Sequence, residues 1–172
     1  MEIETARARV LSSLRPLEAE HVPVAAGAGR HLARPITSLR DVPPYRCAAM
    51  DGWAVPAGPA RALRRGETIW AGSAPGAALR DGEAARIFTG APLPLGADAV
   101  VPQELAGEAE GLVQLPAVEP GAHVRAQGED LREGSVALPA GTRLGPRQLG
   151  ICVAMGVDAL PVVRRPRVLV LS

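Results

Sequence analysis

The chain has 172 residues, of which 47% are hydrophobic, so it is long enough to bury a sizeable core and suggests about one domain. Its formal net charge of +1 argues against a nucleic-acid-binding protein, which would show a marked basic excess. No apolar run approaches the ~20 residues that span a bilayer, so no transmembrane helix is expected. Cys47 and Cys152 are far apart in sequence and have no partner motif, so we expect a soluble, cytoplasmic protein with reduced thiols.

The first predicted element is an amphipathic helix that ends near Pro16. In most proteins such a helix packs one face against the core and leaves the other in solvent. Its apolar residues recur at helical spacing and are Ile3, Ala6, Val10, Leu14 and Leu17.

Short extended segments and one weak helix follow. Residues 22–24 and 35–38 are expected to be extended. A short helix is expected over residues 25–32, although Gly27 and Gly29 weaken it, because glycine disfavours a helix interior.

Residues 43–124 predict a small β-rich module, because short apolar runs alternate with turns that contain glycine and proline. A basic cluster of Arg61, Arg64 and Arg65 precedes the second strand and is expected to be solvated surface. Strands are predicted over residues 52–55, 68–71, 84–88, 99–103 and 112–115.

After this module the pattern changes to two strands with a helix between them. The strands are expected over residues 135–138 and 157–163, and the helix over residues 146–155. Pro146 stands where a first-turn proline belongs, and Gly156 follows the helix as its stop.

The final residues predict the start of another domain. Arg164, Arg165 and Arg167 indicate a linker, with an anion site as the alternative. The apolar run Val168-Leu169-Val170-Leu171 is typical of a parallel strand buried on both faces, which needs neighbouring strands and covering helices. We therefore expect the chain to stop inside the first strand of an α/β domain.

Residues 43–55 predict a sharply bent acidic segment. Pro43 and Pro44 favour an extended entry, and Asp51-Gly52 is a turn-forming pair that leads into a strand. Asp51 is thus a carboxylate on a tight bend. An ordinary turn aspartate is the alternative to a functional one.

Three stretches of the chain match one family pattern in order. The first is Ala49-Met50-Asp51-Gly52-Trp53-Ala54. The second extends from Arg86-Ile87-Phe88-Thr89-Gly90-Ala91-Pro92 through residue 104. The third is Val124-Arg125-Ala126-Gln127-Gly128-Glu129-Asp130, followed by Gly134 and Pro139-Ala140-Gly141-Thr142-Arg143-Leu144. Together they resemble the molybdopterin molybdenumtransferase family, which is related to the E domain of gephyrin. The resemblance extends along the whole chain but covers only the front half of the family's architecture.

The resemblance implies the N-terminal part of an enzyme of molybdenum cofactor biosynthesis. Such an enzyme inserts molybdate into adenylylated molybdopterin and releases AMP, with Mg²⁺ as the cation expected at the diphosphate. The family also implies a homodimer. Because the pterin-binding domain is absent from this sequence, we expect no turnover from the chain alone. The alternative is a non-catalytic dimerisation or scaffold fragment of the same family.

The family pattern assigns roles to residues at two turns. Asp51 is expected to be catalytic and to bind Mg²⁺ or orient a metal-bound water, or else only to shape its turn. Thr89 is expected to be catalytic through its hydroxyl, and Gly90 to bind the anionic substrate through an accessible backbone N–H. An ordinary strand-to-turn threonine is the alternative.

Arg125 and Asp130 are the remaining candidates for the substrate site. Arg125 can hold an oxyanion with its planar guanidinium, or it can instead pair with Glu129 or Asp130 and stiffen the loop. Asp130 either supports the substrate site or is the structural partner of an arginine.

The chain departs from the family just before Asp51. Arg46-Cys47-Ala48 stands where family members commonly have Asp-Asn-Ser, which removes polar groups and reverses a charge. Arg46 predicts a somewhat lowered pKa for the Cys47 thiol, but without a neighbouring His or Cys motif we expect no catalytic thiol. The chain's histidines, His21, His31 and His123, lack metal-ligand spacing.

The fold class predicted is α+β, an elongated helix and strand lobe with an inserted small β-rich module. Residues 1–42 together with 125–164 are expected to form the dimerisation-type lobe, and residues 43–124 the inserted module. Residues 165–172 are expected to be the linker and first strand of a truncated α/β pterin-binding domain.

Overall fold

A computed structural model describes residues 2–170 of the chain, which divides into two compact units. The first unit contains the residues up to Leu39 and those from Gly134 onward. The second unit is the intervening segment, Arg40–Glu133.

Strands dominate the described residues, which form twelve strands and two α-helices. Single turns of 3-10 helix lie at Val24–Ala26 and Gln103–Leu105. The helices are α1 (Ile3–Ser13) and α2 (Pro146–Ala154). The strands are β1 (Ala19–Pro23), β2 (Ile36–Thr37), β3 (Cys47–Ala48), β4 (Gly52–Val55), β5 (Arg61–Ile69), β6 (Glu83–Ile87), β7 (Ala99–Pro102), β8 (Gly107–Ala109), β9 (Leu112–Leu115), β10 (Val124–Arg125), β11 (Val136–Leu138) and β12 (Ala159–Val163).

The first unit is built from two short antiparallel ladders and the two α-helices. Strand β1 pairs with β12 along its full length, and β2 pairs with β11. Helix α2 begins at Pro146, where the Gly145 N–H donates to Gln148 Oε1 at 3.1 Å. The largest buried side chains of this unit are Leu32, Leu144, Cys152, Met155, Leu160 and Val162.

The second unit is organised around a six-stranded mixed sheet in the order β7-β4-β6-β5-β9-β8. Only the β5–β6 pair within this sheet is parallel. All four residues of β4 are buried, because β4 lies between β6 and β7 and both of its faces are covered. Alternate residues of a strand point to opposite faces, which gives two apolar clusters. One includes Ala54, Ile69, Ala85, Ile87 and Val100, and the other Trp53, Val55, Ala84, Val101 and Val113.

Most predicted strands and the second helix are confirmed to within about two residues at each end. The main exception is β5, which begins at Arg61 and not at residue 68. The basic cluster therefore lies on a strand. Arg64 and Arg65 are nevertheless exposed as expected, and Arg65 pairs with Glu108 at 2.5 Å.

Three other predictions are corrected. Residues 25–32 do not form a helix beyond one 3-10 turn, because Gly29 has a φ of 73°, which ends helical geometry. Residues 168–170 form no strand and are exposed, since no described segment pairs with them, while Leu171 lies outside the described residues. Helix α1 ends at Ser13, before Pro16, and none of its residues is buried. Within residues 2–170, no helix has the length and apolar character to cross a membrane.

Candidate functional site

Asp51 and Thr89 meet at one corner of the six-stranded sheet. Asp51 directly precedes β4, and Thr89 is the second residue after β6. Because β4 and β6 pair antiparallel with Gly52 opposite Ile87, the start of one strand lies beside the end of the other. Both donors of Thr89 reach the same oxygen, Asp51 Oδ1, from the backbone N at 2.8 Å and from Oγ1 at 2.7 Å. The Asp51 carboxylate with the Thr89 backbone N–H and hydroxyl forms what we call the Asp51–Thr89 corner.

The corner holds a negative charge open to solvent. Asp51 is partly exposed and Thr89 is exposed. The backbone hydrogen bond from Thr89 lowers the pKa of Asp51 most, followed by the Thr89 hydroxyl bond, and the charge of Arg86 acts in the same direction. Both hydrogen bonds end on Oδ1, so within the described residues Oδ2 is left open to an outside ligand.

The backbone on either side of Asp51 is held firmly. The Asp51 carbonyl accepts the N–H of Gln103 at 3.1 Å, and the Gly52 carbonyl accepts Arg86 Nη1 at 2.8 Å. A Cβ at position 52 would lie 2.0 Å from the Val101 carbonyl oxygen, so only glycine fits between the paired strands. The carboxylate is therefore presented by a bend with little freedom to move.

The donors expected to bind an anion are already used within the corner. The Gly90 N–H donates to the Ala48 carbonyl at 2.8 Å and is not accessible, contrary to the prediction. The Thr89 hydroxyl donates its proton to Asp51, which leaves it only as an acceptor. Thr89 thus orients Asp51 and has no proton to offer to an oxyanion.

Arg125 and Asp130 form a separate ion cluster on the loop after β10. Arg125 Nη2 lies 2.6 Å from Asp130 Oδ1, and Arg125 Nε lies 3.5 Å from Glu129 Oε1. The bond to Asp130 is the main reason that the pKa of Arg125 is raised. Glu129 also accepts the Ala126 N–H at 2.9 Å, which closes the loop. Of the two expectations for Arg125, the geometry matches the loop-stiffening ion pair.

The described residues hold no group of three or more His, Cys, Asp or Glu side chains able to bind a metal ion. Asp51 would therefore be a single protein carboxylate at any cation. Cys47 is buried, and burial raises the pKa of its thiol, which corrects the expected lowering by Arg46. The charge that acts to lower this pKa is that of Arg125, and it does not offset the loss of solvent around the sulfur.

Arg86 is a neighbour of the corner that the sequence did not single out. Its guanidinium donates to the Gly52 carbonyl and to Gln103 Oε1. It also lies 4.8 Å from the centre of the Phe88 ring and 5.7 Å from that of Trp53. The sequence feature that could have identified Arg86 is its place three residues before Thr89. The structure then puts it in β6, directly opposite Trp53 in β4.

Comparison with known proteins assigns this chain to a family. The family model described as MoeA N-terminal region (domain I and II) matches residues 1–156. The chain therefore belongs to the MoeA N-terminal region family, which confirms the resemblance inferred from its three motifs.

Curated relatives carry the corresponding enzyme name. The chain is 35% identical over 175 residues to molybdopterin molybdenumtransferase 2 of Mycobacterium tuberculosis (strain ATCC 25618 / H37Rv), covering 96% of this chain and 42% of that protein. It is 37% identical over 164 residues to the molybdopterin molybdenumtransferase of Nostoc sp. (strain PCC 7120 / SAG 25.82 / UTEX 2576), covering 90% and 38% respectively.

A solved structure agrees with the sequence relatives. The molybdopterin biosynthesis MoeA protein from Pyrococcus horikoshii superposes with a TM-score of 0.79 and 34% identity, covering 96% of this chain and 45% of that one. The chain thus spans less than half the length of each of these relatives.

Proposed function

We propose that this chain supplies the N-terminal part of a molybdopterin molybdenumtransferase. The reaction is insertion of molybdate into adenylylated molybdopterin with release of AMP. Membership of the MoeA N-terminal region family and the names of the relatives support the enzyme class. The observation that carries the site assignment is the Asp51–Thr89 corner, an ionised and partly exposed carboxylate on a rigid bend.

Asp51 is the residue proposed to contact the reacting groups. A lowered pKa keeps its carboxylate ionised at neutral pH, and the two Thr89 hydrogen bonds leave its Oδ2 unused. Mg²⁺ commonly uses one or two protein carboxylates and takes its other ligands from water and substrate phosphates. A single aspartate fits that pattern, and the bound cation would offset the charge of the substrate diphosphate.

Thr89 is proposed to be a positioning residue. Its backbone N–H and hydroxyl fix Asp51 Oδ1 from two directions, so the remaining oxygen is aimed without loss of side-chain freedom on binding. Gly90 has a φ of 82° and lets the chain turn immediately after Thr89.

Arg125 and Asp130 are proposed to support the substrate site indirectly. Their ion pair fixes the loop after β10, which pairs with β3 through Val124 and Ala48. The Ala48 carbonyl in turn accepts the Gly90 N–H, so β3 links this loop to the Asp51–Thr89 corner.

A second role, dimerisation, is favoured by helix α1. Ile3 is 80% exposed and Val10 60% exposed, although both belong to the apolar stripe of the helix. An apolar stripe of this kind is expected to be covered by another surface. We propose a second copy of the chain as its partner, in a homodimer.

The function is tested by reconstitution. This chain is combined with the remaining C-terminal portion of the M. tuberculosis relative, adenylylated molybdopterin, Mg²⁺ and molybdate, and AMP is measured. Molybdate-dependent AMP release is the expected result. The control replaces this chain with the relative's own N-terminal portion. AMP release in the control but not with this chain would overturn the proposal.

A further inference from the structure

The chain has few aromatic residues, and most of them lie together. It contains two tryptophans, one tyrosine and one phenylalanine. Trp70 stacks on Phe88 with ring centres 4.5 Å apart and planes inclined by 7°. Arg86 lies between Phe88 and Trp53, within 6 Å of both rings. Aromatic rings in an otherwise aliphatic protein are thus concentrated beside the Asp51–Thr89 corner.

The outer ring of this stack is open to solvent. Trp70 is 60% exposed, whereas Phe88 is partly buried and Trp53 is 4% exposed. Trp70 follows β5 directly and Phe88 follows β6 directly, and the parallel pairing of Ile69 with Ile87 places the two rings side by side. The stack therefore presents one large indole surface outward.

The indole is stacked on Phe88, and the turn that carries Trp70 is held by backbone hydrogen bonds before any ligand arrives. The Trp70 backbone N–H donates to Ser73 Oγ at 3.2 Å, and the Ser73 backbone N–H donates to the Trp70 carbonyl at 3.0 Å. Gly72, within this turn, has a φ of 87°. A fixed aromatic surface binds a flat ring at low entropic cost, because little side-chain freedom is lost.

Charge beside the stack selects the kind of ring. The Arg86 guanidinium lies 4.8 Å from the Phe88 ring centre and is fixed by its bond to the Gly52 carbonyl. Phe88 is covalently adjacent to Thr89, which holds Asp51. A ligand ring on Trp70 would therefore have a cation and a carboxylate suited to Mg²⁺ close by, as a ring that carries phosphate requires.

We propose that the Trp70–Phe88 stack binds a planar nitrogen heterocycle linked to phosphate, which rests on the proposed function because its substrate contains such rings. Adenine and pterin share this chemistry, and both belong to adenylylated molybdopterin. Bases stack on tryptophan in nucleic-acid-binding proteins through the same contact. The stack thus holds one end of the substrate while its phosphates extend toward Asp51.

Binding is measured directly on this chain in ¹⁵N NMR spectra, by following the Trp70 indole N–H in the unmodified chain and the backbone N–H of Thr89, next to Phe88, in the unmodified chain and every variant. The ligands are AMP, a pterin phosphate and inorganic phosphate, each titrated to millimolar concentration with Mg²⁺ present. The buried Trp53 indole serves as an internal reference. The AMP and pterin arms identify which ring is bound, and the phosphate arm shows whether the ring is needed.

The variants separate stacking from general surface effects. Trp70→Ala is expected to weaken binding of the heterocycle by about tenfold, and Trp70→Phe by less. Leu112→Ala truncates an exposed apolar side chain in β9, which pairs with Arg64 in β5 and not with the end that carries Trp70, and it is expected to leave the affinity unchanged.

The outcomes decide the proposal independently of turnover. Ring-dependent binding that Trp70→Ala weakens and Leu112→Ala does not supports it. Absence of binding by both AMP and the pterin phosphate, equal binding by inorganic phosphate, or equal affinity of Trp70→Ala and the unmodified chain overturns it. If the chain binds neither ring but AMP release in reconstitution is intact, the proposed function stands and only the stacking proposal is wrong. If the chain binds a ring but AMP is not released, only the proposed function is contradicted.

Discussion

At the scale of single residues, the proposed chemistry depends on one carboxylate, whose two oxygens are assigned different roles. Asp51 Oδ1 receives both hydrogen bonds from Thr89, at 2.8 and 2.7 Å, and neither bond uses Oδ2. These bonds favour the charged form, so the carboxylate remains ionised well below neutral pH. The arrangement combines a fixed position with a negative charge, as a cation ligand requires.

We predict that Thr89→Val raises the pKa of Asp51 without restoring its ordinary value of 3.8. The change removes the hydroxyl donor but keeps the backbone N–H donor, which is the larger cause of the lowered pKa. The measurement is a pH titration of the Asp51 carboxyl carbon by NMR.

Thr142→Val provides the control for this titration, because the Thr142 hydroxyl donates to Pro139 and not to Asp51. The pKa of Asp51 is lower in the folded than in the unfolded chain, so its ionised carboxylate stabilises the fold above pH 3.8. That stabilisation is lost as the pH falls through the lowered pKa of the folded state. An unchanged midpoint in Thr89→Val would show that the hydroxyl does not act on Asp51.

The sequence identified Asp51 and Thr89 because turn chemistry and a family motif are local signals. It could not show that the Gly90 N–H donates to the Ala48 carbonyl, since that bond depends on where β3 lies. For the same reason it left open whether Arg125 binds an anion or pairs with Asp130, which the structure places 2.6 Å apart. Hydrogen-bond partners distant in sequence are set by tertiary pairing.

At the scale of elements, β4 positions the corner because it is paired on both sides. Gly52 begins this strand directly after Asp51 and lies opposite Pro102 in β7 and Ile87 in β6. The close approach of the β7 backbone excludes any side chain at position 52. The bend at Asp51 and the packing of the sheet therefore depend on the same glycine.

Gly52→Ala is expected to destabilise the protein by on the order of 3 kcal/mol, because the new Cβ overlaps the Val101 carbonyl and the strands must separate. The free energy of unfolding from urea titration measures the loss. Gly107→Ala in β8 is the matched control, since its Cβ would meet Gln114 at an ordinary 3.7 Å and should change stability by less than about 0.5 kcal/mol. Equal stability of the two variants would contradict the close-packing argument.

Elements were predictable where apolar runs end at glycine or proline turns, as for β4 and β9. Strand β5 was placed too late because Arg61, Arg64 and Arg65 suggested surface, while half of a strand's side chains can face solvent. The two-residue strands β3 and β10 carry too few residues to show a periodic pattern.

At the scale of the whole molecule, helix α1 is the element whose apolar residues remain uncovered. None of its residues is buried, so its apolar stripe is exposed to solvent together with its charged faces. A helix with an uncovered apolar stripe gains stability when another surface excludes water from it. This supports the proposed homodimer.

We predict that Ile3→Glu combined with Val10→Glu shifts the chain from dimer to monomer, because two charges would be placed in the apolar stripe. Analytical ultracentrifugation measures the mass directly. Thr5→Glu combined with Ser12→Glu adds the same charge to the opposite side of α1 and should leave the dimer intact. A monomeric unmodified chain, or equal dissociation of the two double variants, would contradict the proposed interface.

The most direct test of the account is the effect of the Asp51 charge on AMP release in the reconstituted enzyme. Asp51→Asn keeps an oxygen able to accept the Thr89 hydrogen bonds but removes the charge, so we expect AMP release to fall by at least ~100-fold. Asp41→Asn is the matched control, because Asp41 is another turn carboxylate that accepts the Glu133 N–H and the Gln127 side chain. Its activity should remain close to that of the unmodified chain. Equal rates for Asp51→Asn and Asp41→Asn would contradict the role assigned to Asp51 and leave it as a residue that only shapes its turn.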